Sequence, residues 1–322
     1  MKLYLAPMEG LTGHVYRNCV NEFTHGLIDK FYTPFIEPRP KKGMYKSQKF
    51  DLERDNNKGI NLIPQILTKN PEDFLKLAKE IHETYGYEEI NLNFGCPSKT
   101  VVARNKGAGM LEDTDDLKAF LDEIFKGDRD YDISIKTRLG MYDIEEMYRI
   151  LEIYNQYPIK ELSVHVRLQN EYYKAKAHMD LFPEISKLSN HVLSYNGDIY
   201  KAKDVSKLLD IMDGDKVDSI MLGRGFIGNP FLAEDIDAFL KTKEIRDYDK
   251  FDEEKMRRLR PFLDKIYEGY ANLMDENTAV YRMKEIWAFM FSYVSDDKKK
   301  LKAIQKSKNR LQYENALRSI FD

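Results

Sequence analysis

The sequence repeats a short apolar segment, a turn and a helix-like stretch, and this repeat constrains the fold more than any other feature. Eight apolar segments of strand length lie at 3–5, 28–32, 62–66, 90–93, 133–137, 162–166, 192–195 and 219–222. The stretches between them include 71–85, 115–125, 144–154 and 201–212, where apolar residues recur at helical spacing. Strand and helix alternating eight times over roughly 240 residues predict an α/β fold, the (β/α)8 TIM barrel.

A doubly wound parallel sheet is the alternative fold. It normally has fewer strands and a phosphate-binding loop after the first strand, but here the first turn reads Ala6-Pro7-Met8-Glu9-Gly10. After residue 230 the strand pattern stops, and residues 250–322 show helical spacing throughout. We therefore predict a barrel domain over 1–240 and a C-terminal all-helical domain over 250–322, joined by the polar stretch 241–252.

Composition limits the class of protein. With 322 residues, 42% hydrophobic and 33% charged, the chain resembles an ordinary soluble protein. No apolar run approaches the roughly 18 residues of a membrane span, and the N-terminus has no signal-peptide core, so we expect a cytoplasmic protein without a membrane partner. Cys19 and Cys96 give no disulfide framework, and no Cys/His cluster has zinc spacing, so we expect no metal. The residues do not determine the number of protomers; we expect a monomer.

One cysteine lies where a strand gives way to a loop. Residues 89–93 alternate polar and apolar side chains, and the chain then turns at Gly95-Cys96-Pro97. In an α/β fold such a junction often carries catalytic groups, because the strand fixes the position and the loop opens it to a ligand. The alternative is a buried structural cysteine, which is the commoner fate of a free thiol. Asn91 and Asn93, on one side of the same strand, favour the functional interpretation.

Other chemically versatile residues follow the ends of the candidate strands. The carboxyl ends of parallel barrel strands meet at one rim, so these side chains are predicted to lie together. Taken singly, each could instead be a solvent-facing or structural residue. The set comprises Pro7, Met8, Glu9, Gln65, Cys96, Lys136, His165, Arg167, Asn196, Gly197, Asp198, Gly223 and Arg224.

The last two loops suit a phosphate. Loops after strands seven and eight of such barrels commonly bind phosphate through backbone N–H groups, which the glycines of Asn-Gly-Asp and Gly-Arg-Gly expose. Residues 223–228 also match the dinucleotide fingerprint, but they follow seven strand units and lack the expected acidic partner. With a phosphate held there, Lys136 is placed to face the pyrimidine side of a flavin and to stabilise its reduced form. Gln65 can hydrogen-bond the same ring.

These motifs together resemble one family, the flavin-dependent tRNA-dihydrouridine synthases. The resemblance runs in order through Ala6-Pro7-Met8, Asn91-Leu92-Asn93-Phe94-Gly95-Cys96-Pro97, Lys136-Thr137-Arg138, Val164-His165-Val166-Arg167, Asn196-Gly197-Asp198 and Gly223-Arg224-Gly225. It implies an FMN-bearing barrel that reduces the C5=C6 bond of selected uridines in tRNA, with NADPH as the reductant of the flavin.

The resemblance also implies residue roles. Cys96 becomes the general acid that protonates C5 after hydride reaches C6, and an ordinary thiol is mostly protonated at pH 7. Asn93 and Arg167 fall on the substrate side, with His165 between flavin and substrate. The implied FMN-binding residues are Pro7, Met8, Glu9, Gln65, Lys136, His165, Asn196, Gly197, Asp198, Gly223 and Arg224.

Two alternative functions remain open. One is another FMN-dependent barrel that reduces a small pyrimidine-like substrate, such as a dihydroorotate or dihydropyrimidine dehydrogenase relative. A small substrate does not require the C-terminal helices, which favours the tRNA enzyme. The other is an RNA-binding protein that has lost catalysis; such a protein is expected to lack Cys96 or Lys136, and both are present.

The C-terminal region contains a run of basic residues. The formal net charge of the chain is −3, yet basic residues outnumber acidic ones in 251–322. Lys298, Lys302, Lys306 and Arg310 are spaced by four, which predicts one basic stripe on a helix. The stripe is either an ordinary solvated face or a surface that follows tRNA phosphates.

Overall fold

The computed structural model describes residues 1–39 and 43–321. The chain forms two compact units. The first unit comprises Met1–Pro7, Lys30–Asp198 and Lys207–Leu222, and the second comprises Met8–Asp29, Ile199–Ser206 and Gly223–Asp322. The boundary predicted at residues 240–250 stays a prediction.

The strands found in residues 1–39 and 43–321 all lie in the first unit. They are β1 (Lys2–Leu5), β2 (Lys30–Tyr32), β3 (Leu62–Ile63), β4 (Gln65–Ile66), β5 (Glu89–Phe94), β6 (Asp132–Gly140), β7 (Leu162–Leu168), β8 (Leu193–Asn196) and β9 (Ser219–Leu222). Each pairing is parallel, and the order is β3-β2-β1-β9-β8-β7-β6-β5-β4. Each of the eight predicted segments overlaps a strand, and the prediction of a (β/α)8 barrel is confirmed.

Pro64 explains why nine strands make an eight-stranded barrel. β3 pairs with β2, and β4 pairs with β5, so the two short strands on either side of Pro64 act as one. Proline has no N–H to donate to a ladder. Its carbonyl still accepts a hydrogen bond from the Asn91 N–H at 2.8 Å. The two ends of the strand order are therefore joined through one residue, and the sheet closes on itself.

The helices alternate with the strands and then continue alone. They are α1 (His14–Phe23), α2 (Lys46–Leu52), α3 (Pro71–Tyr85), α4 (Lys99–Val102), α5 (Thr114–Ile124), α6 (Glu146–Tyr154), α7 (Phe182–Leu188), α8 (Ala202–Ile211), α9 (Arg224–Gly228), α10 (Leu232–Thr242), α11 (Glu253–Leu273), α12 (Glu276–Val294), α13 (Lys298–Lys306) and α14 (Arg310–Phe321). Short 3-10 helices lie at Arg54–Asn57, Gly107–Leu111 and Met179–Leu181. No helix in the described ranges has the length and hydropathy needed to span a membrane.

Local sequence sets the ends of the helices, and apolar faces attach them to the sheet. α3 begins at Pro71 with the Asn70 side chain accepting the Asp73 N–H, and it ends before Gly86 in the left-handed conformation. Its Phe74 packs edge-on against Phe120 of α5, with ring centroids 6.3 Å apart. The helices of the first unit thus cover the outside of the barrel with aromatic and aliphatic residues.

The amino end of the barrel holds a buried ion-pair cluster. The Lys30 amine lies 3.0 Å from a Glu89 oxygen and 2.9 Å from a Glu161 oxygen. The Tyr4 hydroxyl donates to the same Glu161 oxygen at 3.1 Å. Burial raises the pKa of Glu161. These three charged residues are paired with one another, which suits a structural role at the face that barrels rarely use for catalysis.

The second unit is helical in its described part. Phe262 of α11 packs against Phe23 of α1, with ring centroids 4.5 Å apart. Trp287 of α12 donates its indole N–H to the Tyr313 hydroxyl of α14 at 3.0 Å. Both of these side chains are buried, so the C-terminal helices share an apolar core with a satisfied polar contact. The predicted C-terminal helices are confirmed.

Candidate active site

The loop after β5 holds Cys96 in a fixed conformation. The Asn93 Oδ1 accepts the N–H groups of Gly95 at 3.0 Å and Cys96 at 2.9 Å. The Cys96 carbonyl accepts the Ala108 N–H at 3.0 Å. Gly107 has a positive φ of 57°, and a Cβ there would lie 2.8 Å from the Cys96 carbonyl oxygen. The Cys96 side chain is half-buried. The conformation of its loop requires glycine at position 107, because any larger residue there would clash with the Cys96 carbonyl.

Gln65 lies on the neighbouring strand within a network of amides. Its Nε2 donates to the Asn91 Oδ1 at 2.8 Å, and its Oε1 accepts from the Asn93 Nδ2 at 2.8 Å. The Gln65 side chain is 0% exposed. The sequence predicted that Asn91 and Asn93 share one side of the strand, and both indeed bond to the same partner.

Lys136 lies in β6, in register with Asn93 of β5. Its side chain is half-buried. Burial, together with the nearby Arg138 guanidinium, lowers the pKa of Lys136 to about 7. Among residues 1–39 and 43–321, none forms a hydrogen bond or an ion pair with the Lys136 amine. An amine without a counter-ion inside a barrel mouth is suited to an anionic or electron-rich ligand.

Arg138, two residues along β6, connects two loops. Its Nε donates to the Gly95 carbonyl at 2.9 Å, and its Nη1 donates to the Leu168 carbonyl at 2.8 Å. A third bond runs from Nη2 to the Tyr172 carbonyl at 3.2 Å. Burial lowers the pKa of Arg138 to about 10. The guanidinium thereby fixes the cysteine loop relative to the loop that follows β7.

Arg167 of β7 bonds to two other predicted site residues, one on β7 and one directly after β8. It donates to the His165 Nε2 at 2.9 Å and forms an ion pair with the Asp198 carboxylate. Arginine can only donate, so the Nε2 of His165 accepts and the neutral ring carries its proton on Nδ1. The Asp198 carboxylate also accepts the Ala177 N–H at 2.9 Å. Asn196, next to His165 in register, donates its Nδ2 to the Met221 carbonyl at 2.8 Å.

The first unit therefore brings together most of the predicted rim. Cys96 and Arg138 are joined through the Gly95 carbonyl, Gln65 and Asn93 through their amides, and His165 and Asp198 through Arg167. Pro7 follows β1, and Gly197 follows β8. All of these residues lie towards the carboxyl ends of the strands, as the sequence predicted.

Met8, Glu9, Gly223 and Arg224 belong to the second unit. The Met8 N–H donates to the Thr12 Oγ1 at 2.8 Å. Gly223 directly precedes α9, and the Arg224 guanidinium faces the Tyr200 ring at 5.8 Å from its centroid.

Gly225 packs tightly against the chain after β8, because a Cβ there would lie 1.9 Å from the Ile199 carbonyl oxygen. Only glycine fits that approach, which explains the third residue of the Gly-Arg-Gly motif.

Comparison with known proteins identifies the family. A family model described as dihydrouridine synthase (Dus) matches residues 4–320. The chain is 30% identical to the "Probable tRNA-dihydrouridine synthase 2" of Bacillus subtilis, over 83% of this chain and 83% of that protein. It is 28% identical to the "tRNA-dihydrouridine synthase B" of Pasteurella multocida, over 76% of this chain and 71% of that protein.

The chain belongs to the dihydrouridine synthase family. Among solved structures, an old yellow enzyme homologue from Zymomonas mobilis overlaps with a TM-score of 0.47 at 13% identity, over 76% of this chain and 90% of that chain. The family assignment rests on the sequence matches.

Arg138 is a residue of this site that the sequence patterns did not single out. Arg138 entered the prediction only as the last residue of the motif Lys136-Thr137-Arg138. Alternation along a strand nevertheless puts Ser134, Lys136 and Arg138 on the same side. That alternation was the available indication. The partners of Arg138 are backbone carbonyls. Every residue has a carbonyl, so the sequence does not show which ones Arg138 contacts.

The basic stripe of the C-terminal region is shorter than predicted. Lys298, Lys302 and Lys306 are exposed on α13, and none has an ion-pair partner within the described part of the chain. The inclusion of Arg310 was wrong, because α13 ends at Lys306 and Arg310 begins α14. Arg310 instead pairs with Glu268 at 2.6 Å.

Proposed function

We propose that this dihydrouridine synthase family member is an FMN-dependent tRNA-dihydrouridine synthase that takes reducing equivalents from NADPH. The observation that carries the proposal is the placement of two groups at the carboxyl ends of neighbouring strands: Cys96 in the loop directly after β5, and Lys136 on β6, where it is in register with Asn93 of β5. A thiol supplies a proton, and an unpartnered amine stabilises negative charge on a ligand. The names of the Bacillus subtilis and Pasteurella multocida relatives support tRNA as the substrate.

The residues present fit FMN. The Lys136 amine has no counter-ion among the described residues, and its pKa is lowered to about 7. An electron-rich ring beside this amine would therefore stabilise its charged form. FMN, when bound, supplies the hydride that reduces the uracil ring. Within the first unit, the residues proposed to hold FMN are Pro7, Gln65, Lys136, His165, Asn196, Gly197 and Asp198. For the second unit, the resemblance implies Met8, Glu9, Gly223 and Arg224.

In this proposal the backbone of the cysteine loop fixes the position from which the thiol donates its proton. Cys96 donates the proton that completes reduction at C5 of the uracil. Its loop is held by Asn93 and Arg138, so the thiol meets the base in one orientation. Asn93 and Arg167 contact the base, and the ion pair of Arg167 with Asp198 keeps the guanidinium in place.

The tRNA contacts form a second part of the proposal. A uracil stacked within tRNA cannot reach a barrel interior, so the target base is extruded before reduction. We assign residues 1–240 to catalysis and 250–322 to tRNA binding, with Lys298, Lys302 and Lys306 facing phosphates. A tRNA-modifying role also implies a cytoplasmic location.

A single experiment tests this proposal. The purified protein is reconstituted with FMN, its visible spectrum is recorded, and NADPH is added with and without tRNA made by in vitro transcription. We expect a yellow protein whose colour fades when NADPH reduces the bound flavin. We also expect mass spectrometry to show that the tRNA has gained two hydrogens. Reduction of free uridine or of orotate by the reduced protein, with no change in the mass of the tRNA, would support the small-substrate alternative instead.

A further inference from the structure

Four buried side chains form a hydrogen-bonded chain that begins at the cysteine loop. The Cys96 N–H donates to the Asn93 Oδ1 at 2.9 Å, and the Asn93 Nδ2 donates to the Gln65 Oε1 at 2.8 Å. The Gln65 Nε2 donates to the Asn91 Oδ1 at 2.8 Å. The Asn91 Nδ2 donates to the Ser134 Oγ at 2.9 Å. Every bond therefore runs in the same direction, from β5 to β4, back to β5 and on to β6.

The backbone fixes that direction. A backbone N–H can only donate, so Asn93 must turn its oxygen towards the loop and its NH2 towards Gln65. Gln65 must then accept with its oxygen and donate with its nitrogen to Asn91. Turning any one amide around would place two N–H groups or two oxygens against each other. Ser134 can donate or accept, so it completes the chain without choosing its direction.

Burial makes the orientation costly to change. Gln65 and Asn91 are 0% exposed, Ser134 is 1% exposed and Asn93 is 6% exposed. An amide that loses its partner at such a position has no bulk water to replace it. The orientation of the Gln65 amide is thus set by its two hydrogen-bond partners, Asn93 and Asn91.

We propose that Asn91 and Ser134 are positioning residues that hold the Gln65 amide in one orientation towards FMN. The proposal rests on the proposed function, in which Gln65 contacts the flavin ring. Neither Asn91 nor Ser134 needs to touch the flavin. Their effect reaches it through Gln65, and the same chain ties that orientation to the loop of Cys96.

Two variants and a matched control test the proposal. Asn91→Leu removes the acceptor for Gln65, and Ser134→Ala removes only the final acceptor in the chain. Ser194→Ala is the control, because Ser194 is also 0% exposed in the barrel, and its hydroxyl has no hydrogen-bond partner within the described residues. Both serine variants delete one buried oxygen, so any difference between them comes from the chain.

The readouts are FMN affinity by fluorescence quenching, the absorption spectrum of the bound flavin and its reduction potential. We expect Asn91→Leu to weaken FMN binding by about 5- to 30-fold, as for loss of a buried hydrogen bond. Its spectrum and potential should shift, because the hydrogen bonding of the ring changes. Ser134→Ala should move all three in the same direction by less, and Ser194→Ala should match the wild type.

The outcomes separate this inference from the proposed function. A wild-type protein that takes up no FMN overturns the proposed function and this inference with it. A wild type that binds FMN, with both chain variants indistinguishable from Ser194→Ala, overturns the inference alone. Variants that only unfold more easily, with an unchanged flavin spectrum and potential, also overturn it, because they show a purely structural role.

Discussion

Replacement of Lys136 by methionine should change how stability depends on pH. In the flavin-free protein, burial and Arg138 lower the pKa of Lys136 from 10.5 to about 7. Between these two values the unfolded chain binds a proton that the folded protein does not. The free energy of unfolding of the wild type therefore rises with pH in this window, and the stability contributed by the neutral amine is lost as the pH falls towards 7.

The size of the effect follows from the same two values. Between pH 7 and pH 9, this single group should raise the free energy of unfolding by about 2 kcal/mol. Lys136→Met has no proton to release, so this part of the rise should be absent from the variant. Other groups titrate in both proteins, so the difference between their pH profiles isolates Lys136.

Urea unfolding of flavin-free wild type and variant at pH 7, 8 and 9 measures that difference. The variant should be the more stable protein at pH 7, with the gap closing as the pH rises. Parallel pH profiles for the two proteins would refute the reasoning that the Lys136 amine lacks a counter-ion. FMN binding offers a second test, since loss of this positive charge should lower the flavin potential by roughly 30–60 mV.

Three further predictions concern the cysteine loop and the C-terminal stripe. Cys96→Ala should retain FMN and NADPH oxidation but reduce uridine in tRNA about 10²–10⁴-fold more slowly in a single-turnover assay; full activity would remove Cys96 from the mechanism. Gly107→Ala should slow the same step and lower the urea midpoint, because its Cβ meets the Cys96 carbonyl oxygen at 2.8 Å; unchanged rates would show that the loop adapts freely. Lys302→Glu should weaken tRNA binding and flatten its salt dependence, whereas Lys76→Glu, at an exposed position of α3, should not; equal effects of the two would place the tRNA elsewhere.

The regular parts of the fold were predictable because local chemistry and tertiary structure agree there. The predicted stretch 71–85 coincides with α3, since Asn70, Pro71 and Gly86 mark its ends in any context. β6 is longer than the predicted 133–137, because the charged residue Arg138 interrupts the apolar pattern while the ladder continues to Gly140. When polar side chains point into a barrel, a search for apolar segments finds only part of each strand.

The connections within the site were harder to predict. The sequence indicated which residue types gather at the rim, but the amide chain depends on the register of Gln65 with Asn91, which only the folded sheet defines. The error at Arg310 has a local cause. Lys306 and Arg310 keep the spacing of four across a break, where the Asn309 side chain accepts the Gln312 N–H as a helix cap does. That capping residue was visible in the sequence.

The pairing of the first strand with the last affects how the protein can be made. Lys2 lies in register with Ser219, and Leu5 with Leu222, so the partners of this ladder are about 200 residues apart. At translation rates of roughly 5–20 residues per second, β9 is synthesised on the order of 10–40 s after β1. During that interval the apolar residues of β1 have no strand beside them on that edge. A ribosome-bound chain should therefore be most susceptible to aggregation or chaperone capture until residue 222 emerges, and synonymous changes that slow translation before that point should lower the yield of folded protein.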